Sequence, residues 1–254
     1  MFNTNMFIKD VMQVHLSSNE LQKFESIKGV RERLREFIDY DSALFTHALD
    51  EICRNTVGVT LFRLFLTKRA PGAPKIKIEN IGPAQQEEYG EPFAEQEGSS
   101  YENNVVRINL NLYDSSGKGI PERQYYFVEK NGKIIRKGKS MPGSIFHEFV
   151  HALHEIEDKA QYKKNGDDEF CDYWTDKEEL RTISGYMDRN IYDPICDNCF
   201  YLCNSITKGI QFHPRISHMG FALGKTNETD KSKELEQLYK TLGFNLAWPR
   251  KYMT

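Results

Sequence analysis

An α+β fold is what this sequence of 254 residues predicts, and three features carry that expectation. Apolar residues recur at helical spacing through most of residues 17–69. Within 75–136, separate short stretches read as strands. A strongly amphipathic helix then follows the strands, over 145–156. The length suffices for a full hydrophobic core, and a single domain is expected. Its parts are a helical N-terminal region at 1–69, a sheet at 75–139, a region bearing the chemistry at 140–220, and a C-terminal helix and tail at 221–254.

Composition narrows the partners. The chain has 34 basic and 37 acidic residues, a net charge of −3, so no bulk field draws it to nucleic acid or to an anionic membrane. No apolar run approaches the ~20 residues that span a bilayer. Met1 to Met6 carries neither the basic nor the apolar region of a cleaved Sec signal. Five cysteines, an odd number in a chain too large to need staples, favour a reducing compartment without a disulfide framework. A monomer is expected.

In chain order, Ser17 and Ser18 can cap a helix carrying Leu21 and Phe24. Val30, Leu34, Phe37 and Ile38 form the next apolar stripe, and Leu44, Phe45, Leu49 and Ile52 another. Asn55 or Thr56 can cap a helix from Val57 to Lys68, although Val57–Leu66 would also suit a strand. Arg69-Ala70-Pro71-Gly72-Ala73-Pro74 breaks the chain, and Lys75 to Glu79 alternates as a half-buried strand. A long polar surface loop is expected over 82–104. Ile108, Leu110 and Leu112 then mark a strand from Val105 to Tyr113, and we expect it to be a sheet edge open to an added strand. Gln124 to Val128 and Lys133 to Arg136 flank Asn131-Gly132, the strongest short hairpin signal. Near the end, Lys233 to Leu242 reads as an amphipathic helix and Trp248-Pro249 as part of a nonhelical tail.

The chemistry centres on His147-Glu148-Phe149-Val150-His151, the His-Glu-x-x-His pattern of zinc hydrolases. Residues four apart on a helix lie only ~40° apart around its axis, so His147 and His151 project from one face. Two imidazoles so placed can hold one zinc ion at about 2 Å. Glu148 lies beside that face, within reach of a water activated by the metal. Ile145, Phe146, Phe149, Val150, Leu153 and Ile156 fall on the other side and face a core. A small twisted sheet followed by this helix, then a largely helical C-terminal part, suits a zincin-like metalloprotease fold.

A catalytic zinc usually takes three protein ligands and keeps a fourth position open. A third histidine six residues after His151 is excluded, because Glu157 stands there. Glu169, Glu178 and Glu179 remain as candidates. His154, further along the zinc helix, is expected beside the metal centre rather than on the metal. Cys196-Asp197-Asn198-Cys199 with Cys203 has metal-binding spacing, but one such pair is weak, and reduced cysteines in a helical stretch are expected.

The run Glu178-Glu179-Leu180-Arg181-Thr182, ending in Gly185, resembles the segment that follows the zinc helix in the NleD-type bacterial effector metalloproteases and in clostridial neurotoxin light chains. Both groups also have a histidine where His154 stands. The resemblance implies that Glu179 binds zinc and that Glu178 supports the ligands from outside the coordination sphere. It further implies that Arg215, in Arg215-Ile216-Ser217-His218, steadies a tetrahedral intermediate, with His218 replacing the tyrosine of the neurotoxin pattern. On this likeness the chain is expected to be a hydrolase, specifically a zinc endopeptidase. It would be a virulence effector delivered by a bacterial secretion system into the host cytoplasm, where it cuts a host protein such as a MAP kinase. The resemblance covers mainly residues 140–220. Two rivals stay open: a binding module stabilised by a fully ligated metal, and a metallohydrolase acting on a non-peptide bond.

Overall fold

The computed structural model describes residues 1–39, 43–80, 98–102, 105–110, 125–130, 133–138, 141–157, 177–188, 191–208, 211–215, 237, 240–241, 245 and 248–253. In chain order the helices are α1 (Thr4–His15), α2 (Ser18–Ser26), α3 (Val30–Arg33), α4 (Ala43–Cys53), α5 (Thr56–Lys68), α6 (Met141–Ile156), α7 (Lys177–Ser184) and α8 (Asp197–Thr207). The strands are β1 (Ile38–Asp39), β2 (Ile76–Asn80), β3 (Gly98–Glu102), β4 (Val105–Leu110), β5 (Tyr125–Lys130), β6 (Lys133–Gly138), β7 (Tyr186–Asp188), β8 (Ile191–Tyr192) and β9 (Gln211–His213). The mixture of helices and small sheets agrees with the expected α+β class. The chain divides into two compact units, each assembled from separated stretches.

One unit comprises Ser18–Arg123 and Ser140–Ala160. Its sheet has the order β1-β2-β4-β3, with β1, β2 and β4 parallel and β3 antiparallel to β4. Helices α4 and α5, together with β3 and β4, pack against α6. Phe149 fixes that helix. Its ring meets Phe62 edge-on at 5.2 Å and Phe65 at 5.7 Å, and lies over Phe45 at 6.4 Å. All four rings are buried. Asn55 caps α5 by accepting from the backbone N–H groups of Val57 and Gly58, which resolves the helix-or-strand ambiguity of that segment in favour of the helix.

Three expectations need correction in this unit. Ile38 does not continue a helical stripe, because α3 passes into a 3-10 turn at Leu34–Glu36 and Ile38 then pairs in parallel with Ile76. Pairing with a strand distant in sequence outweighs local spacing there. The 82–104 stretch is not wholly a loop: its described part, Gly98–Glu102, is strand β3, whose serine- and glycine-rich sequence lacks the usual alternation. The strand from Val105 is not a sheet edge either, because β4 is hydrogen-bonded to β2 on one side and to β3 on the other. Residues 111–113 of that expected strand lie outside the described residues.

The other unit comprises Met1–Ser17, Gln124–Lys139 and Gln161–Thr254. Its three-stranded sheet, in the order β6-β5-β9, is antiparallel throughout. The β5–β6 register pairs Lys130 with Lys133, as the Asn-Gly signal predicts. Helix α1 falls within the helical N-terminal region expected over 1–69. Its N-cap is Asn3, whose side chain accepts from the Met6 N–H, and it buries Phe7, Val11 and His15. Trp248–Tyr252 forms a 3-10 turn where a nonhelical tail was expected, and it packs on both α1 and α8. Phe7 and Tyr252 meet edge-on at 5.5 Å, and the Asn3 N–H donates to the Tyr252 carbonyl. Apolar burial against α1 and α8 gives these five residues a turn that they would not hold alone. The expected helix from Lys233 to Leu242 lies largely outside the described residues.

Candidate metal centre

Helix α6 carries His147, Glu148, His151 and His154, and all four are buried. The core contacts of Phe149 decide which way they face. Phe149 lies about 200° around the helix axis from His147, so anchoring it in the aromatic cluster turns the histidine pair to the opposite side. The His147 and His151 rings stand almost perpendicular, at 85°, with their centroids 4.7 Å apart. Their Nε2 atoms are 3.1 Å apart. Two nitrogens bound to one tetrahedral zinc at its usual bond length would be about 3.3 Å apart. The separation of the two nitrogens is close to the spacing a shared ion requires.

Glu179 supplies the third donor. One ligand atom from each of His147, His151 and Glu179 lies within 4.8 Å of the others. The excess over a tetrahedral edge is at most about 1.5 Å, within the reach of a glutamate rotamer. Two neutral imidazoles and one carboxylate are a donor set that suits zinc. The group can hold a metal ion, and among the described residues no other set of three such ligands comes together.

Glu148 stands beside the histidine pair, its Oε1 atom 4.0 Å from His147 Nε2. Its Oε2 atom is buried and makes no hydrogen bond among the described residues. A buried carboxylate oxygen in that state has hydrogen-bonding capacity unused by the protein around it. Glu178 is buried on α7, where the Thr182 hydroxyl donates to its Oε1 at 3.3 Å. His154 is fully buried one turn beyond the histidine pair.

Arg215 lies just after β9 and is almost wholly buried. The side-chain amide of Asn198 grips its backbone in both directions: Asn198 Nδ2 donates to the Arg215 carbonyl at 3.0 Å, and the Arg215 N–H donates to Asn198 Oδ1 at 2.8 Å. Arg215 Nη1 is 3.5 Å from an Asp197 carboxylate oxygen. In the sequence Asn198 stands only as a spacer within the Cys196–Cys199 pattern, and no local signal marks it as a partner of Arg215. His218 and Glu169 lie outside the described residues. Cys196, Cys199 and Cys203 are buried at or within α8. Burial and the neighbouring Cys196 push the Cys199 thiol well above its ordinary value, which keeps it protonated.

No family model, curated protein or solved structure matches the chain.

Proposed function

We propose that this protein is a zinc-dependent endopeptidase of the zincin type, with His147, His151 and Glu179 as the metal ligands and Glu148 as the general base. The observation that carries this reading is the pair of Nε2 atoms 3.1 Å apart, with the Glu179 carboxylate within 4.8 Å. A zinc ion held there would supply Lewis acidity and would bring the pKa of a nearby water well below its bulk value.

The chain's own residues do the rest. Glu148 Oε2 takes the proton of the attacking water and returns it to the leaving amide nitrogen. Arg215, held in place by Asn198, offers its guanidinium to the developing oxyanion, as the resemblance to neurotoxin light chains implies. Glu178 and His154 support the ligands from outside the coordination sphere. The same likeness supports delivery into a host cell and a host protein substrate, with a MAP kinase as the first substrate to assay.

A library of denatured-proteome peptides tests the activity directly. The zinc-loaded protein is expected to generate new termini that disappear with a chelator and return on adding zinc. Glu148→Gln should retain the metal and lose about 10²–10⁴ in cleavage rate. Identical termini from the two proteins would remove Glu148 from the mechanism, and an absence of chelator-sensitive cleavage would remove the peptidase reading.

A further inference from the structure

We propose that Asp193 is a positioning residue for the metal centre: by gripping the back of α7 through Arg181, it sets the direction in which Glu179 points. This inference rests on the assignment of Glu179 as a ligand. Asp193 is fully buried and is held by α1, by α7 and by the backbone of its own turn. Arg181 donates twice to Asp193 Oδ2, from Nε at 2.9 Å and from Nη2 at 2.6 Å. His15, at the end of α1, holds Oδ1 through Nε2 at 2.7 Å, and the Ile195 N–H donates to the same oxygen at 2.9 Å.

Helix α7 has only eight residues, too few to define its own axis, so its orientation must come from such contacts. Arg181 follows Glu179 by two positions and lies about 200° around the axis from it. An anchor on that face controls the rotation of the helix, which fixes where the opposite side chain projects. The anchor is also tied to the helix end. The Gly185 N–H donates to the Arg181 carbonyl at 2.7 Å, and the Asp193 N–H donates to the Gly185 carbonyl at 2.6 Å. Trp248 Nε1 adds a bond to the Ser184 carbonyl at 2.7 Å. Rotation and slippage of α7 are both opposed from the side away from Glu179.

Zinc affinity of the full-length protein, measured by titrating Zn²⁺ against a fluorescent chelator, tests the proposal. Asp193→Asn strands a buried guanidinium and risks the fold, so Arg181→Lys, which keeps the charge and loses the planar fork, is the principal variant. It is expected to weaken zinc binding about tenfold, as residues behind metal ligands do. In a Glu179→Gln background the same change should leave the remaining affinity unmoved, since the ligand it acts through is gone. Asn55→Ala, which weakens the cap of α5 and touches none of the groups around Asp193, controls for general loosening and should bind zinc as the wild type does. Equal affinity of Arg181→Lys and wild type would overturn the proposal. So would an equal loss in both backgrounds, or a matching loss in Asn55→Ala. If wild type and Glu179→Gln bind zinc alike, the ligand assignment itself falls, a result distinct from the others.

Discussion

Gly185 shows how much one residue can decide. Its φ is +80°, and a Cβ built there would lie 2.5 Å from the Asp193 carbonyl oxygen and 2.6 Å from Trp248 Cζ2. The left-handed backbone and the close approach both demand glycine. Gly185→Ala is therefore expected to cost about 2–4 kcal/mol, combining backbone strain and overpacking, read as a drop in the denaturant midpoint at unchanged slope. Cys53 makes a different contribution. Burial first, and the Asp50 carboxylate second, push its thiol from 9.0 up to about 12. A thiol kept protonated in the folded chain and ionising normally in the unfolded one contributes stability that is complete below pH 9.0 and is lost as pH rises toward about 12. Cys53→Ala is expected to flatten that alkaline decline. Parallel stability–pH curves for the two proteins above pH 9.0 would refute the assignment.

At the scale of elements, α5 and α6 show two ways of making a helix dependable. Helix α5 is defined locally at its start by the Asn55 cap, and its apolar residues then bury on several sides. Asn55→Ala is expected to cost about 1 kcal/mol, since it leaves two buried N–H groups without their acceptor. Chemical denaturation measures this, and an Asn55→Asp protein, which keeps the capping oxygen, should lose less. Helix α6 instead takes its orientation from packing, with Phe149 lodged among Phe45, Phe62 and Phe65. Helix α7 is the dependent case. Its place comes from Arg181, Gly185 and the carbonyl of Ser184, each bonded to residues outside the helix.

At the scale of the whole molecule, a metal that binds the folded chain and not the unfolded one adds stability by mass action. At a free zinc concentration about 100 times the dissociation constant, that addition is about 2.7 kcal/mol. For a chain of this size it corresponds to a rise of roughly 5–10 °C in thermal midpoint. Calorimetry with and without chelator is expected to show the shift in the wild type and a much smaller one in His151→Ala. An equal shift in both would place the zinc elsewhere. The amino- and carboxy-terminal segments are also joined: Phe2 bridges to Met253, and the Tyr252 hydroxyl donates to Asp10.

What the sequence determined by itself is whatever depends on near neighbours along the chain. Helical geometry places His147 and His151 on one face from their spacing alone, the Asn55 cap is a three-residue event, and the Asn131-Gly132 signal predicts the pairing of β5 with β6. The register of these features follows from bond lengths and helical pitch, so no partner from afar is needed. Tertiary structure decided the rest. Glu179 is distinguished from Glu178 and Glu169 in the sequence only through a family likeness, whereas in the structure it is the glutamate with a ligand atom within 4.8 Å of those of His147 and His151. The parallel pairing of β4 with β2 and the Asp193 hub join residues many positions apart. Such contacts form only when burial of the intervening chain repays the entropy of closing a long loop, and no local pattern of residues encodes that balance.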